Sequence, residues 1–178
     1  MLQRLFVGIE LPDSVRRTLA DIRMDYPTAR WHPPGALHVT LSFIGSVDQA
    51  TAQQMAAALE GLPDPGVQLA INGVGYFGSE ERPKVLWAGV DASVALLQLQ
   101  QVVEQRLLPL GLVADTRPYR PHVTLARVKQ GGAVLQGFLQ QYAALRLPVF
   151  AVSQVCLYVS RGGSGPVQYE VIQRFTLG

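Results

Sequence analysis

The sequence predicts an α+β fold with internal duplication. Two lobes of antiparallel sheet line a central cleft, helices cover the outside, and a pseudo-twofold axis relates the halves. Two observations carry that prediction. The phrase His38-Val39-Thr40-Leu41 recurs as His122-Val123-Thr124-Leu125, an offset of 122 − 38 = 84 in a chain of 178 residues. Around each copy the order helix, proline loop, HVTL strand, helix, strand, glycine turn, strand repeats, which is the signature of a duplicated unit. No linker or low-complexity segment separates the halves, so residues 1–178 are expected to form one two-lobed domain.

The elements follow in order. Residues 4–11 read as a strand, being a short run of mainly apolar residues. Asp13 or Ser14 caps a helix to about Tyr26, stopped by Pro27. The stretch Arg30-Trp31-His32-Pro33-Pro34-Gly35 reads as a loop, because its prolines forbid helix and interior strand. The first HVTL strand spans about 36–44 and ends at Gly45. Its alternation of Val, Thr and Leu suits a half-buried pleat, with His38 and Thr40 on one face and Val39 and Leu41 in the core. A helix from Ser46 or Asp48 runs to about Leu62. Strands at 67–77 and 84–90 form a pair joined through Gly78–Pro83. The second round has a helix at about 92–108 and a stiff loop Arg117-Pro118-Tyr119-Arg120-Pro121. The second HVTL strand follows, then a helix at about 133–145 and strands near 149–159 and 168–177.

Composition narrows the function classes. No apolar run is long enough to cross a bilayer, and the short apolar start lacks a signal-peptide pattern. The lone Cys156 excludes an internal disulfide or a cysteine metal cluster and reads as a buried thiol, which suits a reducing cytoplasm. Arg outnumbers Lys by 13 to 2 at a net charge of only +2. Arg is the better phosphate fork, but a GC-rich genome explains the bias equally, so charge alone does not identify a nucleic-acid binder.

The motif Gly73-Val74-Gly75-Tyr76-Phe77-Gly78 matches a dinucleotide fingerprint in letters only. That fingerprint needs a helix starting at the glycines, whereas a proline and a strand-like run follow here. No cofactor is therefore assigned. The paired histidines lack a symmetric third ligand, so no metal is assigned either. No serine or cysteine stands in a nucleophile pattern. Ser42 falls on the histidine face but has no mate in the second half. His32, without a counterpart, reads as a solvated loop residue. Two imidazoles facing across a cleft are left, one able to act as base and the other as acid. That arrangement suits an in-line phosphoryl transfer, with Thr40 and Thr124 donating to the non-bridging oxygens.

These residues carry a resemblance. The two HxT phrases, the Arg-Trp and Pro-Pro loop before the first, Arg82-Pro83-Lys84-Val85-Leu86-Trp87 and the Arg117–Pro121 loop resemble the two-histidine phosphoesterase superfamily. Within it the resemblance is to the RNA 2′,3′-cyclic phosphodiesterases, long labelled 2′-5′ RNA ligases. The resemblance implies metal-free hydrolysis of a terminal cyclic phosphate to a 2′-phosphate. It also implies RNA 3′ ends or cyclic nucleotides as partners, with no membrane and no obligate protein partner. His38 would protonate the leaving 3′ oxygen, His122 would take the proton from water, and Thr40, Thr124 and Arg127 would hold the phosphate. A reversible 2′-5′ ligase and a non-catalytic RNA-end binder are the alternatives. Strict alternation points Arg127 away from the histidines, so its role requires a bulge before it. Its mate Phe43 either offers a base a surface to stack on or packs in the core, and core packing is the preferred reading. Arg117, Tyr119 and Arg120 are candidate RNA contacts or an ordinary loop. His32 departs from the family, which has an apolar residue there.

Overall fold

The computed structural model describes all 178 residues. Strand β1 (Gln3–Glu10) leads into helix α1 (Asp13–Ala20), strand β2 (Arg30–Trp31), strand β3 (His38–Val47) and helix α2 (Gln49–Ala58). Next come β4 (Gln68–Leu69), β5 (Ile71–Gly78), β6 (Pro83–Val90) and α3 (Val94–Leu107). The chain closes with β7 (His122–Arg127), α4 (Ala133–Gln141), β8 (Phe150–Ala151), β9 (Gln154–Arg161) and β10 (Gln168–Thr176).

Two of the helices start where capping chemistry puts them, whereas α1 begins at Asp13 directly after Pro12 with no side-chain cap, so neither Asp13 nor Ser14 caps it. The Asp48 carboxylate accepts from Thr51 N at 2.8 Å and opens α2. Ser93 Oγ accepts from Leu96 N at 3.2 Å and opens α3. Helix α1 stops at Ala20, short of the expected Tyr26, and α4 stops at Gln141, short of 145. In both cases the apolar residues beyond the helix stay in the core as irregular chain: Ile22 and Tyr26 are buried after α1, and Leu145 packs against the core after α4.

The main sheet runs β10-β9-β1-β3-β7-β6-β5, with β2 also paired to β7 and a separate β4-β8 pair. The first lobe is the antiparallel set β10-β9-β1-β3 and the second is β7-β6-β5. A single pair, Val39 opposite Val123, joins β3 to β7. The pseudo-twofold axis passes through that pair. One face of the sheet buries Leu5, Val7, Ile9, Val39, Leu41, Leu86, Ala88, Val123 and Leu125 in a continuous core. That core also takes Leu19 of α1, Met55 of α2, Leu96, Leu99, Val103 and Leu107 of α3 and Phe138 of α4. The opposite face is left for the histidines. Cys156 is fully buried beside Phe6 and Tyr158, and burial pushes its thiol up. No helix is long and apolar enough to cross a membrane.

The stretch Arg30–Gly35 corrects the loop reading. Arg30 and Trp31 pair with Arg127 and Ala126, and His32 N donates to Leu125 O at 2.8 Å. A two-residue edge strand ending before Pro33 satisfies the proline restriction, because only the residues before the prolines need ladder donors. Only long-range pairing with β7 makes this segment a strand.

Candidate active site

Each histidine is held by the chain two residues before it. His38 Nδ1 lies 2.7 Å from Ala36 O, and His122 Nδ1 lies 2.7 Å from Arg120 O. A carbonyl only accepts, so Nδ1 carries the proton in both rings and Nε2 is turned toward the cleft. The two anchoring carbonyls are themselves 84 residues apart (120 − 36), so the pose obeys the pseudo-twofold axis. The antiparallel Val39–Val123 pair sets His38 across from Thr124 and Thr40 across from His122. The four polar groups of the two HxT phrases thereby flank the β3–β7 seam, and the His122 charge is felt at His38. His38 Nε2 accepts from Thr40 Oγ1 at 3.0 Å, while His122 has no equivalent partner. Tyr119 donates its hydroxyl to Thr40 O at 2.7 Å and ties the second proline loop to β3.

Aromatic rings set the histidines' surroundings. His38 lies 4.7 Å from Phe6 and 5.4 Å from Tyr158, and meets the Tyr169 ring edge-on at 5.0 Å. His122 meets Phe77 edge-on at 4.8 Å and Trp87 at 6.5 Å. Gly8 makes the first arrangement possible: a Cβ there would stand 2.8 Å from Val39 O and 3.5 Å from His38 Cδ2. Burial pulls the His38 pKa down to about 4, with the His122 charge adding to the fall and the Ala36 hydrogen bond opposing it. Burial also lowers His122, helped by the Arg120 charge and opposed by the bond to Arg120 O.

Both HVTL strands bulge at their leucine. In β3, Gly8 pairs with Thr40 and Val7 with Ser42, which leaves Leu41 unpaired. In β7, Trp87 pairs with Thr124 and Leu86 with Ala126, which leaves Leu125 unpaired. Each bulge buries two successive residues and reverses the alternation beyond them. Arg127 is thus exposed on the histidine side, as its expected role requires. The same device corrects two expectations at the mate positions. Ser42 is buried on the core face opposite Val7 and is not on the histidine face. Phe43 is 52 % exposed, not packed in the core, with the Arg4 guanidinium 5.1 Å from its ring centre.

A cleft of about 840 Å³ opens on the His122 side of the axis, lined by Thr40, Phe43, Phe77, Arg117, Tyr119, Arg120 and His122 among others. Arg120 lies over Phe77 at 5.6 Å. Arg117 forks onto Asp115 at 3.0 and 2.7 Å, so its charge is already matched. His32 is another correction. It is 6 % exposed, edge-on to Tyr169 at 6.3 Å, with Nδ1 unpartnered. Its placement, and the parts played by Phe77, Tyr158 and Tyr169, depend on strand pairings far apart in sequence. A Tyr or Phe in an alternating strand gives no local sign of facing a histidine. No three His, Cys, Asp or Glu side chains gather as a metal-binding group.

Comparison with known proteins supplies a family. Residues 11–164 match a family model described as the 2′-5′ RNA ligase superfamily. A Geobacillus stearothermophilus protein named RNA 2′,3′-cyclic phosphodiesterase is 31 % identical over 94 % of this chain and 54 % of its own, so the chain spans about half of that relative. The Escherichia coli protein of the same name is 28 % identical over 98 % of this chain and 97 % of its own. The crystal structure of E. coli LigT complexed with 3′-AMP superposes with a TM-score of 0.83 at 25 % identity, covering 99 % of each chain.

Proposed function

Because the chain belongs to the 2′-5′ RNA ligase superfamily, we propose that it hydrolyses terminal 2′,3′-cyclic phosphates of RNA to 2′-phosphates, with His38 as acid and His122 as base and no metal. The name RNA 2′,3′-cyclic phosphodiesterase, borne by relatives that align over nearly the whole chain, supports the reaction. The observation that carries the residue assignment is the matched Nδ1 anchoring of His38 and His122 across the Val39–Val123 pair, with Nε2 of His122 free and Nε2 of His38 on the Thr40 hydroxyl.

The chemistry follows from that pose. Water attacks phosphorus on the His122 side, and His122 Nε2 takes its proton. The bond from phosphorus to O3′ breaks on the opposite side, and protonated His38 Nε2 gives its proton to the leaving oxygen. The phosphate stays on O2′. Thr40 and Thr124 hydroxyls and the Arg127 guanidinium meet the non-bridging oxygens, where charge collects. A lowered pKa suits His122, which must be neutral to accept a proton. His38 must gain one, and the negative phosphate bound beside it opposes the depression caused by burial. Phe43, Tyr119 and Arg120 offer RNA an aromatic and cationic wall, and Arg117 joins them if RNA displaces it from Asp115.

This reading takes residues 1–178 as one two-lobed domain acting in the cytoplasm, the compartment that its buried lone thiol suits, on RNA 3′ ends or cyclic nucleotides. The test is turnover of a nucleoside 2′,3′-cyclic phosphate in excess chelator, with the product identified as the 2′-phosphate. A requirement for added metal, or a 3′-phosphate product, would falsify it. The cleft on the His122 side favours a second reading, the reversible 2′-5′ ligase, because it has room for a 5′-hydroxyl RNA end where water otherwise enters. Adding such a fragment and looking for a joined product separates the two. Water at about 55 M is expected to prevail over a strand end that must first be positioned.

A further inference from the structure

Arg30 and Arg127 stand directly opposite each other in the β2–β7 ladder. Directly opposed residues of an antiparallel pair share a face, and like charges there repel. Neither guanidinium takes part in an ion pair: the four in the molecule join Arg16 to Asp13, Arg117 to Asp115, Arg161 to Glu170 and Arg174 to Glu10. The shared face is the histidine face. Trp31, between Arg30 and His32, packs on Phe138 in the core, which sends its two neighbours the other way. On β7 the Leu125 bulge brings Arg127 to that same side. The Arg127 charge is felt at both His32 and Tyr169, and Tyr169 is the ring edge-on to His38.

The duplication shows that this pair is not a by-product of symmetry. Moving Arg127 back by 84 gives Phe43, and moving Arg30 forward by 84 gives Ala114. At these two positions one end of the cleft has a facing pair of cations, and the equivalent positions hold an aromatic ring and a methyl group. The facing pair of cations is at the His38 end. If His38 protonates the leaving 3′ oxygen, the ribose lies on that side, and the next phosphate of the chain follows it.

We propose that Arg30, beside Arg127, forms a subsite for the phosphodiester on the 5′ side of the terminal nucleotide while Arg127 stays on the cyclic phosphate, so that the protein favours RNA chain ends over nucleoside cyclic phosphates. The inference rests on the cyclic phosphodiesterase reading and adds Arg30 as a specificity residue. Two facing forks match two successive phosphates of an RNA end, and the bound anions remove the repulsion between them.

The experiment compares a trinucleotide ending in a 2′,3′-cyclic phosphate with the corresponding nucleoside 2′,3′-cyclic phosphate, using wild-type protein and Arg30→Gln. The ratio of their kcat/KM values should fall at least about tenfold in the variant, chiefly through KM of the trinucleotide. The slope of log(kcat/KM) against log salt for the trinucleotide should become shallower by about 0.7. A second arm keeps the protein intact: wild type should lose a similar factor on a trinucleotide whose 5′-side linkage is a neutral methylphosphonate. An unchanged ratio in either arm, or an equal loss on both substrates, overturns the proposal. Wild-type protein inert on both substrates overturns the phosphodiesterase reading instead.

Discussion

His38 and His122 hold the same pose in different surroundings, and the difference matters for their roles. His38 sits among Phe6, Tyr158 and Tyr169 and is held down to about 4, so the free protein keeps it neutral at pH 7. Bound phosphate raises it. The alkaline limb of kcat should therefore lie at higher pH than that of kcat/KM, because kcat/KM reports the free protein and kcat the complex. Coincident limbs in the two pH profiles would refute the assignment of His38 as acid. Replacing either histidine by alanine should lower kcat about 10²–10⁴-fold, the usual worth of one positioned acid or base, measured by release of 2′-phosphate. His32 makes a separate prediction. Its pKa is pulled to about 4 by burial first, then by the His38 and Arg127 charges. Between that value and the ordinary 6.5 the unfolded chain binds a proton that the folded chain refuses. Stability is thus complete above about pH 6.5 and falls as pH drops toward 4, by up to about 3 kcal/mol for this one group. Thermal melts between pH 7 and 5 should show the fall, and His32→Phe should make it shallower while leaving the share that His38 contributes.

At the scale of single elements, the bulges in β3 and β7 are the deciding feature. The HVTL repeat, its strand character, the histidine face and the buried Val39, Leu41, Val123 and Leu125 are all legible in the sequence, because period-two alternation needs only neighbours. The bulges are less so. Arg127 demands one if it is to reach phosphate, but nothing local says that Leu125 supplies it, or that Leu41 does the same and delivers Phe43. Strand β2 was illegible for a related reason: two residues before a proline acquire a ladder only from β7, nearly a hundred residues on. Element packing yields two stability predictions. The Arg106 guanidinium in α3 donates to Glu60 O at 2.6 Å and Gly61 O at 2.8 Å, and so closes the open carbonyl end beyond α2. Arg106→Met should cost about 1.5–3 kcal/mol in urea unfolding, the range for hydrogen bonds to a charged group. Gly75 lies under the Trp87 ring, which an added Cβ would overlap. Gly75→Ala should cost about 1–3 kcal/mol and, by moving Trp87 against His122, also lower turnover.

Across the whole molecule, the lobes differ in how far apart in sequence their strands lie. The second lobe is local, since β5, β6 and β7 fall between Ile71 and Arg127. The first is not. Strand β1 lies between β3 and β9, so Arg4 pairs with both Ser46 and Ser160. During synthesis β1 leaves the ribosome before both its partners, β3 and β9, and is among the last strands to be completed. Until residue 161 is made, Leu5, Val7 and Ile9 belong to a strand with an open edge, and long-range pairing of this kind is slow. The β5–β6–β7 lobe has all its partners much earlier and is expected to act as the template on which the rest closes. Pulse-labelling hydrogen exchange during refolding should protect Leu86 and Ala88 before Leu5 and Val7. An N-terminal fusion or deletion that disturbs β1 should then slow the last stage of folding and leave that early protection intact.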